Sequence, residues 1–207
     1  MKKNGLEKKR KKMGEYKIKT NSFDEACLHS DNDSSVFERD DGTKAWYKNG
    51  LLHRDDGPAL EYSDETKIWY RNGKRHRDDD LPAVESANGY KFWYKDGKYH
   101  RDNDLPAVIY SNRYKFWYKN GDLHREDDLP AVEYANGTKG WYKNGILHRE
   151  GGPAVEYADG AKKYYLAGKY YAEEEYYKII KEIDNLPLEL QLTHEKEWVR
   201  ERAKING

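Results

Sequence analysis

Apolar and polar positions between residues 40 and 165 alternate over short segments, with no helical period. Residues 115–118 (Lys-Phe-Trp-Tyr) and 131–134 (Ala-Val-Glu-Tyr) are examples. They mix β-branched or aromatic side chains with polar ones, as half-buried strands do. Asn-Gly, Asp-Gly and acidic stretches with proline separate these segments, and such residues favour turns. The pattern therefore predicts many short β-strands joined by tight turns.

The strand pattern belongs to an internal repeat of 23 or 24 residues. A fixed period of this length indicates an architecture in which each unit stacks on the next. The clearest copy runs from Trp117 to Lys139 and reads WYKNGDLHREDDLPAVEYANGTK. A Trp-Tyr pair opens five copies and Tyr-Tyr opens a sixth: Trp46-Tyr47, Trp69-Tyr70, Trp93-Tyr94, Trp117-Tyr118, Trp141-Tyr142 and Tyr164-Tyr165.

Every complete copy carries the same parts in the same order. Trp-Tyr is followed by Asn-Gly or Asp-Gly, then His-Arg, an acidic stretch, Pro-Ala, a short apolar segment and a second turn. Asn-Gly suits a type I′ turn between antiparallel strands, whereas the acidic stretch with proline cannot sit in a central strand. We predict one β-hairpin per repeat with a bent second strand. A three-strand unit, with His-Arg on its own strand, is the alternative.

The repeats set the predicted domain organisation. His29 lies 17 residues before Trp46, the same offset as His124 to Trp141, so residues 28–45 form a degenerate half-repeat. The array then covers residues 28–171 in about six units. We predict an all-β repeat fold, an elongated single antiparallel sheet of tandem hairpins.

Both ends of the chain differ from the repeats. Residues 1–27 are predicted to form a basic, flexible tail, since residues 1–20 hold nine Lys/Arg and two Glu. Residues 172–207 are predicted to form a helical cap on the last hairpin, because solenoid ends need cover. Tyr176, Ile179, Ile180 and Ile183 give residues 172–183 one apolar helical face. A second helical stretch from Thr193 carries Trp198, and the alternative for this C-terminal element is a dimerisation or partner-binding role.

Composition narrows the class of protein. The net charge is zero, so the +7 of residues 1–20 leaves −7 on the rest. The 14% of aromatic residues argues against disorder. Cys27 is the only cysteine, which fits a reducing compartment, and no apolar run approaches membrane-spanning length. These features predict a soluble, cytoplasmic protein.

The motif Tyr-x-Asn-Gly-x-x-His at this period resembles the MORN repeat. It is still more similar to a divergent MORN-like class in bacteriophage and giant-virus proteins, with His-Arg and Gly-Pro-Ala as at Gly57-Pro58-Ala59. That resemblance implies the hairpin solenoid, and a phage-encoded inhibitor of a host or defence factor as the function. If the chain is viral, the predicted location is the cytoplasm of the host cell. A usual MORN unit has His-Gly where this chain has His-Arg, so lipid and membrane-junction roles are not carried over.

Metal, cofactor and catalytic chemistry are not expected. Equivalent histidines of neighbouring repeats should lie about 10 Å apart, whereas ligands of one zinc ion lie within about 4 Å of each other. The acidic stretches match no calcium loop, and we predict that their carboxylates pair with the arginine just before them or in the next repeat. An active site usually breaks a repeat, and no unique catalytic arrangement is present.

Protein binding along one periodic face is the predicted function. Neighbouring Trp and Tyr should point to opposite faces of a strand, one ring buried and the other displayed. The candidate partner-binding residues are Tyr47, His53, Arg54, Tyr70, His76, Arg77, Tyr94, His100, Arg101, Tyr118, His124, Arg125, Tyr142, His148, Arg149 and Trp198. One alternative is a nucleic-acid or nucleotide binder using Lys2, Lys3, Lys8, Lys9, Arg10, Lys11 and Lys12. A structural, virion-associated role is the other.

Overall fold

The computed structural model describes residues 16–19, 35–187 and 189–190. It divides into two units, Met1–Lys74 and Arg75–Gly207, each of which is described by itself. Among residues 35–187 each unit is built from short antiparallel strands, as the repeat pattern predicts, and the second unit adds one helix of twelve residues. No helix in the described residues is long and apolar enough to cross a membrane.

The first unit contains the half-repeat and the first full copy. Strand β2 pairs in antiparallel fashion with β3, which also pairs with β4 and β5, and β5 pairs with β6. The strands are β1 (Tyr16–Lys19), β2 (Ser35–Glu38), β3 (Lys44–Lys48), β4 (Leu51–Leu52), β5 (Leu60–Glu61), β6 (Lys67–Ile68) and β7 (Tyr70–Arg71), with β8 (Lys74–Arg75) at the boundary.

Strand β1 was not predicted from the sequence. It lies within the stretch that we predicted as a tail, and it pairs with β2 in parallel, unlike the strands of the repeats. The half-repeat does enter the sheet, since Val36 and Phe37 of β2 are buried against β3. The other residues of the predicted tail, 1–15 and 20–27, lie outside the described residues.

The second unit contains an antiparallel sheet of nine strands. They follow one another in chain order as β9 (Val84–Glu85), β10 (Lys91–Phe92), β13 (Val108–Ile109), β14 (Lys115–Phe116), β17 (Val132–Glu133), β18 (Lys139–Gly140), β21 (Val155–Glu156), β22 (Lys162–Leu166) and β23 (Lys169–Tyr171). Small two-stranded hairpins interrupt this order: β11 (Tyr94–Lys95) with β12 (Lys98–Tyr99), β15 (Tyr118–Lys119) with β16 (Asp122–Leu123), and β19 (Tyr142–Lys143) with β20 (Ile146–Leu147).

A complete repeat of the second unit therefore makes two hairpins, and both predicted unit structures are wrong on this point. The backbone N–H of Trp117 donates to the carbonyl of Ala131 at 2.8 Å, whereas its carbonyl accepts from His124 at 3.0 Å. The chain thus leaves the main sheet and enters the small hairpin at the tryptophan. His124-Arg125 follows that hairpin and lies in no strand.

Turn chemistry explains the small hairpins. Both central residues of each two-residue turn have positive φ, for example 55° at Asn120 and 100° at Gly121. A type I′ turn requires this conformation, and Asn-Gly adopts it with little strain. The predicted turn type is confirmed.

The core repeats with the sequence. The alanine of each Pro-Ala motif in the second unit is fully buried, at Ala83, Ala107, Ala131 and Ala154. A tryptophan and a valine lie beside it in the central copies, as Trp117 and Val132 do. The thin core thus uses aromatic rings where most domains use Leu and Ile.

Helix α1 (Glu173–Asp184) confirms the predicted cap on the last hairpin. Tyr176 is fully buried against Tyr164 and Leu166, and Ile179 and Ile180 pack on the same cluster. The hydroxyl of Tyr176 donates toward the carbonyls of Arg149 and Glu150, both at 2.8 Å, and accepts from the N–H of Gly152 at 3.1 Å. The residues from Thr193 onward, with Trp198, lie outside the described residues.

Candidate interaction surface

The arginine of the His-Arg motif joins two neighbouring repeats in three of the copies. Arg125 holds Asp104 of the preceding repeat through two hydrogen bonds, from Nε at 2.9 Å and from Nη2 at 2.8 Å. Its Cζ lies 3.9 Å from the centre of the Trp117 ring, which is cation–π contact. Nη1 donates to the Pro130 carbonyl at 3.3 Å. The predicted pairing of the acidic stretch with the arginine of the next repeat is confirmed.

The same arrangement occurs in the adjacent copies. Arg101 pairs with Asp80 and covers Trp93, and Arg149 pairs with Asp128 and covers Trp141, each with Cζ 3.9 Å from the ring centre. The Arg101 guanidinium holds the pKa of Asp80 below its usual range. In the first unit Arg54 covers Trp46 but bonds Asp56 of its own acidic stretch.

The histidines also join repeats. Nδ1 of His100 accepts the backbone N–H of Asn120 at 3.1 Å, so the neutral ring carries its proton on Nε2. Nε2 lies 2.9 Å from the carboxylate of Asp102 and donates to it. His124 repeats the contact with the N–H of Asn144, and its Nε2 lies 2.9 Å from a carboxylate oxygen of Glu126. Lys119 and then His124 lower the pKa of Glu126 to about 2.

The candidate His and Arg residues of the second unit therefore bond other residues within the fold. Their side chains are nearly buried at His100, Arg101, His124, Arg125, His148 and Arg149. In the first unit, His53 accepts the N–H of Asn72 in the same way. Arg77 is partly exposed and bonds the Pro82 carbonyl and Glu85. Trp198 and the seven basic residues of the tail lie outside the described residues.

Neither ring of the Trp-Tyr pair is displayed, contrary to expectation. Tyr47 and Tyr94 are buried, and Tyr70, Tyr118 and Tyr142 are half-buried. The reason is that the strand of the main sheet ends at the tryptophan. The tyrosine therefore lies on the small hairpin, where its ring stacks on a neighbouring ring. The centres of Tyr94 and Tyr99 lie 4.3 Å apart, and those of Tyr99 and Tyr118 lie 4.9 Å apart.

Burial of the Tyr99 and Tyr176 side chains predicts that the protein loses stability at high pH. Burial raises the pKa of Tyr99 and of Tyr176 to about 12, against 10 for an exposed tyrosine. Between pH 10 and 12 the unfolded chain loses these protons while the folded chain keeps them, so the free energy of unfolding falls as the pH rises. Denaturant unfolding across this window should show that these two groups together release between one and two protons on unfolding.

The Tyr99→Phe variant is the control for this pH dependence. It removes one of the shifted groups, so its slope should be smaller than that of the wild type by nearly one proton. Equal slopes for the two proteins would contradict the prediction.

A cluster of rings on the main sheet of the second unit is partly exposed. This aromatic patch consists of Tyr90, Phe92, Tyr110, Tyr114, Phe116 and Tyr134. The ring centres of Tyr90 and Tyr110 lie 5.0 Å apart, those of Phe92 and Tyr110 5.5 Å, and those of Phe116 and Tyr134 5.9 Å, with edge-to-face geometry. Five of the rings are half-buried and Tyr134 is 40% exposed.

The aromatic patch is where the copies differ from one another. Phe92 and Phe116 occupy the position before tryptophan, which is Gly140 in the next copy. A Cβ at Gly140 would lie 3.0 Å from the ring of Tyr142, so no side chain extends the patch there. Tyr90 and Tyr114 likewise correspond to Thr138.

One turn beside the aromatic patch is conformationally unusual. Arg113 has a φ of 66°, where the equivalent turns of the second unit have Gly89, Gly137 and Gly160. A non-glycine residue costs about 1–2 kcal/mol in this left-handed conformation. The Arg113 side chain is exposed. The turn therefore keeps a charged side chain next to the rings although glycine would be more stable.

The aromatic patch was not predicted from the sequence, because the prediction used only the residues that all copies have in common. Comparing the copies at the position before tryptophan and in the second turn would have identified it.

Within the described residues, no group of three or more His, Cys, Asp or Glu side chains is placed to hold a metal ion. No protein-family model matches the chain, and comparison with curated proteins finds no similar sequence.

Proposed function

We propose that this chain is a non-enzymatic repeat scaffold that binds a protein partner through the aromatic patch. The observation that carries the proposal is a contiguous set of partly exposed rings that spans three successive copies. A conserved core contact would recur in every copy, whereas Phe92 and Phe116 give way to Gly140. Tyrosine, tryptophan and arginine are the residue types enriched at the centres of protein interfaces, where they lose water.

The geometry of the rings favours a protein partner over single-stranded nucleic acid. Bases stack on open, parallel ring faces along a basic groove. In the aromatic patch the rings meet edge to face, with interplanar angles of 68° between Phe92 and Tyr110 and 88° between Phe116 and Tyr134. The net −7 of residues 21–207 also opposes phosphate.

The resemblance to repeat proteins of bacteriophages supports a more specific form of this proposal. In that form the partner is a host or defence factor, which the scaffold inhibits by occupying its surface. A rigid sheet suits this role, because its binding residues are ordered before the partner arrives and little conformational entropy is lost on binding.

Affinity capture from host-cell lysate tests the proposal. The full chain should retain a stoichiometric protein through nuclease treatment, identified by mass spectrometry. Tyr110→Ala and Arg113→Gly should each weaken capture, Tyr110→Ala by about tenfold or more, the loss typical of an interface hot spot. Tyr170→Ala is the matched control, since Tyr170 is 56% exposed but lies outside the aromatic patch.

Arg113→Gly separates binding from folding. Relief of the left-handed conformation should raise the free energy of unfolding by about 1 kcal/mol while capture weakens. Weak capture by this variant could then not be blamed on unfolding. Undiminished capture by both variants, or a partner that nuclease releases, would overturn the proposal.

A further inference from the structure

Exposed leucines recur in three loops of the second unit. Three acidic loops, residues 78–81, 102–105 and 126–129, each end in a leucine before Pro-Ala. Leu81 is 44% exposed, and Leu105 and Leu129 are each 39% exposed. None of these residues belongs to the aromatic patch.

Comparison of the copies indicates that the fold does not require these leucines. The copies that begin at Trp46 and Trp141 are 23 residues long, and glycine precedes their Pro-Ala (Gly57 and Gly152). The three copies of 24 residues have one residue more at this point, and leucine precedes their Pro-Ala. The shorter loops still bury their alanine fully, at Ala59 and Ala154. The extra leucine thus adds apolar surface without any need from the core.

The acidic loops are held in one conformation. Asp79 and Asp80 both have positive φ, at 60° and 53°, and the two equivalent loops repeat this pair of angles closely. The indole N–H of Trp93 donates to the Asp80 carbonyl at 2.9 Å, and Arg101 holds the Asp80 carboxylate. The leucines are therefore presented by rigid loops. Because each repeat adds two strands to the sheet, successive leucines lie about 10 Å apart.

Carboxylates lie beside the three exposed leucines in the sequence of each loop. Asp79 and Asp127 are exposed, and no described residue forms an ion pair with either. The side chains of Asp78, Asp102 and Glu126 are at least half exposed. Grooves of about 330 and 390 Å³ lie beside the loops, the first lined in part by Asp79 and Asp102 and the second by Asp127 and Leu129. Arginine and lysine side chains line both grooves beside these carboxylates, so the acidic groups open to a partner are the exposed Asp79 and Asp127.

We propose that the three acidic loops dock a basic amphipathic α-helix of a protein partner. Seven helical residues span about 10.5 Å, so apolar residues at every seventh position would meet Leu81, Leu105 and Leu129 in turn. An extended strand covers about 10 Å in three residues, an odd number that would turn alternate side chains away. Lysine and arginine between the apolar positions would pair with the exposed carboxylates of Asp79 and Asp127.

A designed peptide probe tests this surface directly. The probe is a helical peptide of about 21 residues, three heptads, with leucine at every seventh position and lysine and arginine beside it. Fluorescence anisotropy should detect binding to the full chain that weakens as salt is added. A peptide of the same composition, with its leucines moved to every fifth position, is the matched control for spacing.

Two protein variants separate the apolar and charged contributions. Replacing Leu81, Leu105 and Leu129 together by serine should weaken probe binding at least tenfold without unfolding, because the leucines are exposed. Asp79→Asn with Asp127→Asn should weaken it severalfold and reduce its salt dependence. Tyr110→Ala should leave probe binding unchanged, so this result stands apart from that of the lysate capture.

Three outcomes would overturn the inference. The first is no probe binding by the wild-type chain, and the second is equal affinity for the two peptides, which would reduce the contact to charge alone. The third is concentration-dependent self-association that the triple serine variant abolishes. That result would assign the leucines to a second copy of this chain.

Discussion

Replacement of Trp117 by alanine should lower the free energy of unfolding by about 3–5 kcal/mol, the usual cost of removing a large buried aromatic side chain. Trp117 is buried beneath the guanidinium of Arg125, and its indole N–H donates to the Asp104 carbonyl at 3.0 Å. One truncation therefore opens a cavity, leaves the Asp104 carbonyl without this donor and removes the ring on which Arg125 lies.

The position of Trp117 between repeats adds to this cost. Arg125 is held over the ring while it bonds Asp104 of the preceding copy, so loss of the ring also loosens that ion pair. In repeat proteins the contacts between neighbouring units supply much of the stability, because one unit cannot bury its apolar surface alone. Urea unfolding of the full chain, followed by tryptophan fluorescence and circular dichroism, measures the loss.

Two further variants make the Trp117 result interpretable. Trp117→Phe keeps a ring but removes the indole N–H, so its loss should fall between zero and that of Trp117→Ala. Tyr170→Ala also truncates an aromatic residue, but Tyr170 is 56% exposed and the change should be small. An unfolding midpoint for Trp117→Ala equal to that of the wild type would contradict a structural role for this ring.

Replacement of Tyr176 should detach the helical cap. Tyr176→Ala should cost about 3–5 kcal/mol, because the ring is fully buried between α1 and β22. Tyr176→Phe keeps the ring and removes only the hydroxyl, which contacts the carbonyls of Arg149 and Glu150 and the N–H of Gly152. Leaving such groups unpaired should cost about 1–3 kcal/mol.

Hydrogen exchange distinguishes loss of the cap from general loss of stability. In Tyr176→Ala the amides of α1 and β22 should lose protection before those of β14, because Tyr176 packs on β22 and contacts residues 149–152. Tyr170→Phe serves as the control, since that hydroxyl belongs to an exposed side chain of β23. Equal loss of protection across the second unit would contradict a cap that opens by itself.

Much of the architecture follows from local sequence. The repeat period, the type I′ turn at Asn120-Gly121 and the helix that includes Tyr176 were all predicted, because each depends on residues close together in the chain. Positive φ angles belong to single residues, and an apolar helical face belongs to neighbouring turns. The boundaries of α1 differ from the predicted ones by a single residue at each end.

The roles of the repeated polar residues could not be predicted with the same success. From the sequence we predicted that His124 and Arg125 are exposed and bind a partner. In the folded unit, Arg125 bonds Asp104, 21 residues away, and His124 accepts the N–H of Asn144, 20 residues away. Residues one repeat apart meet only because successive copies are stacked with a particular offset. That offset depends on the break of the strand at Trp117.

The repeat, the turns, the antiparallel hairpins and the helical cap follow from period, φ preference and apolar pattern, which are local properties of the chain. The tertiary structure, in contrast, sets which side chains remain exposed. It buries His124 and Arg125 between repeats, stacks Tyr118 on Tyr99, and leaves Tyr134 and Leu105 partly open to solvent. The physical reason is that exposure depends on contacts about 20 residues apart, and the spacing of those contacts is set by how the copies pack.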